Sequence, residues 1–85
     1  MSDTKRKRLR QVEIYLLNDD KTSFHHVIET LSSTLPECST IRAEQIATIT
    51  HRTGMCHIYT GKSNVAIMIQ TILLARGLKI LTKMK

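Results

Sequence analysis

The first part of the chain reads as a strand followed by an amphipathic helix. Over residues 12–18, apolar and polar side chains alternate, which is the two-residue period of a strand with one buried face. Turn-forming residues follow, and Thr22 or Ser23 can supply the N-cap that a helix start favours. Pro36 ends the helix because proline disfavours helical backbone at the residue before it. The apolar residues of the helix recur at the spacing of one face, at Phe24, Val27, Ile28, Leu31 and Leu35.

A second helix and a short strand come next. Thr40 can cap a helix that runs to about Arg52, and Gly54 fits the position after it, where a positive φ is needed. Residues 55–59 are predicted as a strand and residues 60–62 as a turn. The apolar face of this second helix comprises Ala43, Ile46, Ala47 and Thr50.

The last third of the chain predicts a buried helix and a closing strand. Residues 64–76 are apolar almost all round, which predicts the most buried helix of the chain. Ser63 is expected to cap it and Gly77 to end it, and residues 78–84 then form the last strand. The order β-α-α-β-α-β predicts an α+β fold of two layers, in which a small three-stranded antiparallel sheet packs with three helices.

The positive charge lies at the two ends of the chain. The sequence has 85 residues, enough for one domain, and a formal net charge of +6. Residues 1–10 carry five Lys or Arg and one Asp, and residues 79–85 carry three Lys, whereas the 68 residues between them hold five basic and six acidic side chains. We therefore expect residues 1–11 to be a basic, flexible tail and residues 12–85 to be the folded domain. A balanced body with three aromatic residues disfavours nucleic-acid binding.

The composition excludes several further classes of protein. The longest apolar stretch is shorter than the roughly 20 residues that span a bilayer, and the basic start lacks the apolar segment of a secretory signal. Cys38 and Cys56 give no disulfide framework, so a reducing compartment is expected. Together with His51 and His57 they lack the paired spacing of zinc sites. No catalytic arrangement can be argued, and we expect a binding protein, without metal or cofactor, rather than an enzyme.

Three polar residues can meet at one end of the first strand. Asn18 offers an amide oxygen, Asp19 a carboxylate and neutral His51 a ring nitrogen. Three convergent acceptors match the three donors of an ammonium group, and capture of an N-terminal amine is a known recognition mode. An ordinary turn and a histidine at a helix C-terminus would use the same residues. The apolar pocket beside them would be built by Phe24, Val27, Ala47 and Thr50.

Two motifs give the chain its resemblance to a known family. They are LLNDDKTSFHHVIETL and, further along, AEQIATITHRTG. With the helix and strand that follow, they resemble the ClpS family over residues 12–85. The resemblance implies a non-enzymatic adaptor that recognises N-terminal degradation signals and delivers them to an AAA+ Clp protease.

The resemblance also implies roles for nine residues. Asn18, Asp19 and His51 would bind the ligand's α-amino group, and Thr22 would lie at the pocket edge and cap the first helix. The expected ligands are proteins or peptides that begin with Leu, Phe, Tyr or Trp. The expected partner is the N-terminal domain of a ClpA- or ClpC-type unfoldase, and the protein itself would be a monomer in a bacterial cytoplasm or a plastid stroma. The hydrophobic pocket would be lined by Thr22, Phe24, Val27, Ala47, Thr50 and Leu78.

The chain departs from the family pattern inside and outside this pocket. Ala47 stands where a bulky methionine-like residue is common, which would make room for a first residue of Ile or Val, and Thr50 stands where valine is common. The N-terminal extension is short, and the region of Gly61 and Lys62 replaces an acidic residue expected for docking on the unfoldase. The short extension leaves one alternative open, a decoy that docks on the unfoldase without delivering cargo. The basic ends leave a second, a small basic nucleic-acid- or ribosome-associated protein.

Overall fold

The computed structural model describes residues 11–84, and its six elements follow the predicted order. The sheet is antiparallel with the strand order β2-β1-β3, so the first strand lies in the centre. The predicted α+β fold, three strands packed with three helices, is confirmed. Residues 1–10 of the predicted tail, and Lys85, lie outside the described residues. The elements are β1 (Gln11–Leu17), α1 (Phe24–Thr34), α2 (Thr40–Thr53), β2 (Met55–Lys62), α3 (Ser63–Ala75) and β3 (Ile80–Met84).

The core lies between one face of the sheet and the three helices. The alternation along β1 buries every second side chain, because successive residues of a strand point to opposite faces. Every helix contributes buried apolar side chains to the same cluster. The buried residues of this core are Val12, Ile14, Leu16, Leu31, Leu35, Ala43, Ile46, Ala66, Ile69, Leu73 and Leu78.

Of the three predicted helix caps, the first is confirmed, the second lies one residue earlier in the chain, and the third is absent. Ser23 caps α1, where its hydroxyl oxygen accepts from the His26 N–H at 3.0 Å. Ser39, rather than Thr40, caps α2 and accepts from the Arg42 N–H at 3.1 Å. The cap predicted for Ser63 is wrong, because Ser63 is already the first residue of α3 and no side chain caps that helix.

The turn predicted at residues 60–62 is wrong, because β2 continues through it to Lys62. Ile14 pairs with Tyr59 but Tyr15 pairs with His57, so Ile58 is the extra residue of a β-bulge. The bulge lets two consecutive β2 residues, Ile58 and Tyr59, pack against the core. The chain then passes from strand to helix without a turn between them.

The prediction that the third helix is the most buried is also wrong. In α3 three residues are buried, Ala66, Ile69 and Leu73, whereas in α2 four residues are buried. α3 packs against the sheet and α1 on one side only. Apolar side chains on its other side are exposed to solvent in the described part of the chain, including Ile67 at 58 % and Met68 at 64 % exposure. The last strand begins at Ile80 rather than at residue 78, although Leu78 is buried.

Candidate functional site

A cavity of about 210 Å³ opens at the C-terminal end of β1, beside the turn that connects β1 to α1. Its walls come from β1, α1, α2 and the segment that leads into β3. All nine residues predicted from the sequence line this cavity, so the fold brings the whole predicted set together. The predicted residues at the cavity are Asn18, Asp19, Thr22, Phe24, Val27, Ala47, Thr50, His51 and Leu78.

Gly54 explains how Asn18 and His51 come to lie at the same cavity. His51 is in the last turn of α2, and Gly54 ends that helix with a φ of 98°, in the left-handed region that favours glycine. The Gly54 N–H donates to the Thr50 carbonyl at 2.8 Å, and the Gly54 carbonyl accepts from the Asn18 N–H at 3.0 Å. Gly54, three residues after His51, therefore links the end of α2 to the end of β1 through these two hydrogen bonds.

The Asp19 carboxylate is held in place by the turn that it begins. One oxygen accepts from the Lys21 backbone N–H at 3.0 Å, and the other accepts from the Thr22 hydroxyl at 3.1 Å. The Lys21 hydrogen bond lowers the pKa of Asp19, with smaller contributions from Thr22 and from the positive charges of Lys79 and Lys21. Each oxygen retains a further lone pair, so an ionised Asp19 can still accept from a ligand ammonium.

Thr22 therefore has a different role from the helix cap that the resemblance implied. Its hydroxyl donates to Asp19, while Ser23 is the cap of α1. The Thr22 hydroxyl thus fixes one of the two Asp19 carboxylate oxygens at the edge of the cavity.

The deeper part of the cavity is apolar. Ala47, Thr50 and Leu78 are each at least 96 % buried, while Phe24 lies at the mouth with 45 % of its surface exposed. The Thr50 hydroxyl donates to the Ile46 carbonyl at 2.8 Å. Because that proton is already engaged within α2, the Thr50 hydroxyl cannot donate a hydrogen bond into the cavity.

Four lining residues were not predicted from the sequence: Leu16, Leu17, Asp20 and Lys79. Lys79 reaches the site because its carbonyl accepts from the Leu17 N–H at 2.9 Å, which ties the approach to β3 alongside the end of β1. The one signal in the sequence was its position next to Leu78. The strand pairing that brings it there is a long-range contact that no local pattern reports.

The cavity combines a polar mouth with an apolar interior large enough for an aromatic ring. An engineered cavity of about 150 Å³ lined by apolar side chains is known to bind benzene, and this one is larger. Such a site suits a ligand that carries a cation next to an apolar group. Within residues 11–84, no three His, Cys, Asp or Glu side chains gather where they could hold a metal ion, and every helix is too short or too polar to span a bilayer.

Comparison with known proteins identifies the family. Residues 7–80 match the family model described as ATP-dependent Clp protease adaptor protein ClpS. The chain belongs to the ClpS family. Its fold also matches a solved structure of Agrobacterium tumefaciens ClpS2 bound to L-phenylalaninamide, with a TM-score of 0.80 and 20 % sequence identity, over 92 % of this chain and 100 % of that one. No curated protein matches the chain in sequence.

Membership of the ClpS family confirms the resemblance found in the two sequence motifs. The protein is accordingly a Clp protease adaptor of the ClpS type, a family of adaptors rather than of proteases. At 20 % identity, the likeness to ClpS2 establishes the fold alone. The roles of the nine predicted residues stay predictions.

Proposed function

We propose that this ClpS protein binds the free N-terminal residue of substrates that begin with a large hydrophobic side chain, and delivers them to a Clp unfoldase and protease. The observation that carries the proposal is the single cavity that joins Asn18, Asp19 and His51 at its mouth to an apolar interior. A free N-terminus presents the matching pair of features, an ammonium group and a side chain on the same carbon atom. Leu, Phe, Tyr and Trp are the first residues that this arrangement favours.

Each acceptor takes one donor of the ammonium in this proposal. The ionised Asp19 supplies the opposite charge, and the Lys21 N–H that lowers its pKa favours this ionised form. The Asn18 amide oxygen and a ring nitrogen of neutral His51 accept the remaining two N–H donors. An acetylated N-terminus has neither the charge nor the three donors, so the site rejects it.

The binding test compares peptides that differ only at their first residue. Fluorescence anisotropy with free Leu, Phe, Tyr and Trp starts should show binding, and an N-acetylated Phe peptide should show none. Asp19→Asn keeps an oxygen for the Lys21 N–H but removes the charge, so affinity should fall at least about tenfold, the loss of one charged hydrogen bond. Asp20→Asn is the matched control and should change affinity less. Equal binding of the free and acetylated peptides would refute the proposal.

Ala47 sets the space available to the first side chain. As a small residue with 4 % exposure in the cavity wall, it leaves room for the branched Cβ of Ile or Val. We expect the natural protein to bind Ile-start peptides, and Ala47→Met to weaken that binding by roughly 10-fold or more, since a misfitted methylene costs about 1–3 kcal/mol. Anisotropy with Ile- and Phe-start peptides measures this, and equal rejection of Ile by both proteins would contradict it.

Delivery is a separate step that requires a partner. The proposed partner is the N-terminal domain of a ClpA- or ClpC-type unfoldase, in a bacterial cytoplasm or a plastid stroma. A reconstituted reaction should degrade a Phe-start reporter faster when the adaptor is added. If the adaptor binds both peptide and unfoldase yet slows degradation of the reporter, the decoy alternative holds instead.

A further inference from the structure

A single lysine stands at the mouth of the cavity. Of the described residues that line the cavity, Lys79 is the one with a permanent positive charge. Its backbone is fixed on both sides, because its carbonyl accepts from the Leu17 N–H at 2.9 Å and the preceding Leu78 is buried. Its side chain is exposed, so the ammonium is free to meet a ligand.

The charge of Lys79 acts on the same carboxylate that a ligand amine would use. Lys79 lines the same cavity as Asp19, and its positive charge is one of the smaller contributions that lower the pKa of that carboxylate. A ligand ammonium that arrives at Asp19 is therefore attracted by Asp19 and repelled by Lys79. A negative group on the ligand, close to its amine, would be attracted by Lys79 and would offset that repulsion.

We propose that Lys79 makes the site selective for ligands that carry a carboxylate next to the N-terminal amine. This inference rests on the proposed function. Two sources share that chemistry: an Asp or Glu side chain at the second position of a substrate, and the α-carboxylate of a free hydrophobic amino acid. The remaining acidic group at the mouth, Asp20, would disfavour such a ligand, and Lys79 offsets it.

The test uses two pairs of ligands and a matched pair of variants. The first pair is a Phe-Glu and a Phe-Gln peptide of otherwise equal sequence, and the second is L-phenylalanine and L-phenylalaninamide as competitors. Lys79→Gln removes the charge from the mouth. Lys83→Gln removes the same charge from β3 beside the Tyr15 ring, 5.3 Å from its centroid, and outside the cavity lining.

The natural protein and Lys83→Gln should bind the Phe-Glu peptide about two- to fivefold more tightly than Phe-Gln, the usual range for an exposed ion pair. Lys79→Gln should lose that preference and bind Phe-Gln at least as well as the natural protein does. The preference should be largest at about 10 mM ionic strength, where the Debye length is roughly 30 Å, and should shrink in about 1 M salt.

The outcomes separate the two proposals. If Phe-Gln and Phe-Glu bind equally to the natural protein, and L-phenylalanine competes no better than its amide, Lys79 selects nothing and the proposed function stands. If Lys79→Gln keeps a preference for the carboxylate, another residue is responsible and the inference is wrong. If no free N-terminus binds, both proposals fail. A preference for L-phenylalanine alone, lost in Lys79→Gln, supports the inference with a free amino acid as the ligand.

Discussion

At the scale of single residues, the geometry of the cavity depends on a glycine, Gly54, that does not itself line it. Gly54 has a φ of 98°, and a Cβ built on it would meet no atom within 4 Å. The need for glycine is therefore conformational rather than steric. Its carbonyl holds Asn18, and its place three residues after His51 ends the helix where the histidine reaches the cavity.

We expect Gly54→Ala to lower the free energy of unfolding by about 1–2 kcal/mol, the cost of a left-handed alanine. If the backbone relaxes towards negative φ, the Asn18 bond is lost and peptide affinity should fall as well. Urea unfolding and anisotropy measure the two effects. Gly77→Ala is the control, because Gly77 also has a positive φ in open space but makes no bond to Asn18. Unchanged stability and affinity in Gly54→Ala would contradict this role.

The surroundings of Thr30 predict how its hydroxyl affects the stability of the fold. It is fully buried, and its hydroxyl has no hydrogen-bond partner among residues 11–84. A buried polar group without a partner destabilises the folded state. Thr30→Val, which replaces the hydroxyl by a methyl group of similar size, should raise the free energy of unfolding by about 1 kcal/mol.

The increase should appear as a higher urea midpoint at an unchanged slope. Thr48→Val on the exposed side of α2 is the control and should change stability by less than about 0.5 kcal/mol. A lower midpoint for Thr30→Val would mean that the hydroxyl is satisfied in solution.

At the scale of the elements, local chemistry predicted most of the fold. The alternation in β1 and the apolar faces of α1 and α2 are visible in the sequence because each element has one buried face. The burial of α3 was overestimated from the sequence. Its apolar residues are distributed all round the helix, so the pattern does not indicate which side packs against the sheet. The length of β2 was missed because its pairing with β1, and the bulge at Ile58, are long-range properties.

Two serines at helix N-termini are expected to differ in their contribution to stability, because one caps its helix and the other does not. Ser39→Ala removes the side-chain acceptor of the Arg42 N–H and should cost about 1 kcal/mol. Ser63→Ala changes the first residue of α3, where no side-chain cap exists, and should cost less than about 0.5 kcal/mol. Thermal unfolding of the two variants measures the difference. Equal costs would show that Ser63 caps α3 after all.

At the scale of the whole molecule, the site joins parts that are far apart in the sequence. The nine predicted residues were identified from motifs and a resemblance, and all of them line one cavity. Lys79 was not predicted, because its place at the cavity depends on the pairing of the last segment with β1. One bound ligand would therefore contact α1, α2 and both segments of the sheet that meet there.

This arrangement predicts that a ligand stabilises the entire fold. At a concentration about 100 times its dissociation constant, a Phe-start peptide should add about 2.7 kcal/mol. For a domain of this size, the melting temperature should rise by roughly 10 °C or more. Differential scanning calorimetry measures the shift, and the acetylated peptide should produce none. A shift of equal size with the acetylated peptide would place binding outside the predicted amine site.

The direction of β1 has a practical consequence for handling the protein. The cavity opens where β1 ends at Leu17, whereas Gln11, at its start, pairs with Lys62, and Val12 pairs with Met84. Seven extended residues place these two ends about 20 Å apart. A dye or a surface anchor attached at Gln11 or at Met84 therefore joins the molecule at the end of the sheet away from the mouth, and leaves the entrance of the cavity uncovered.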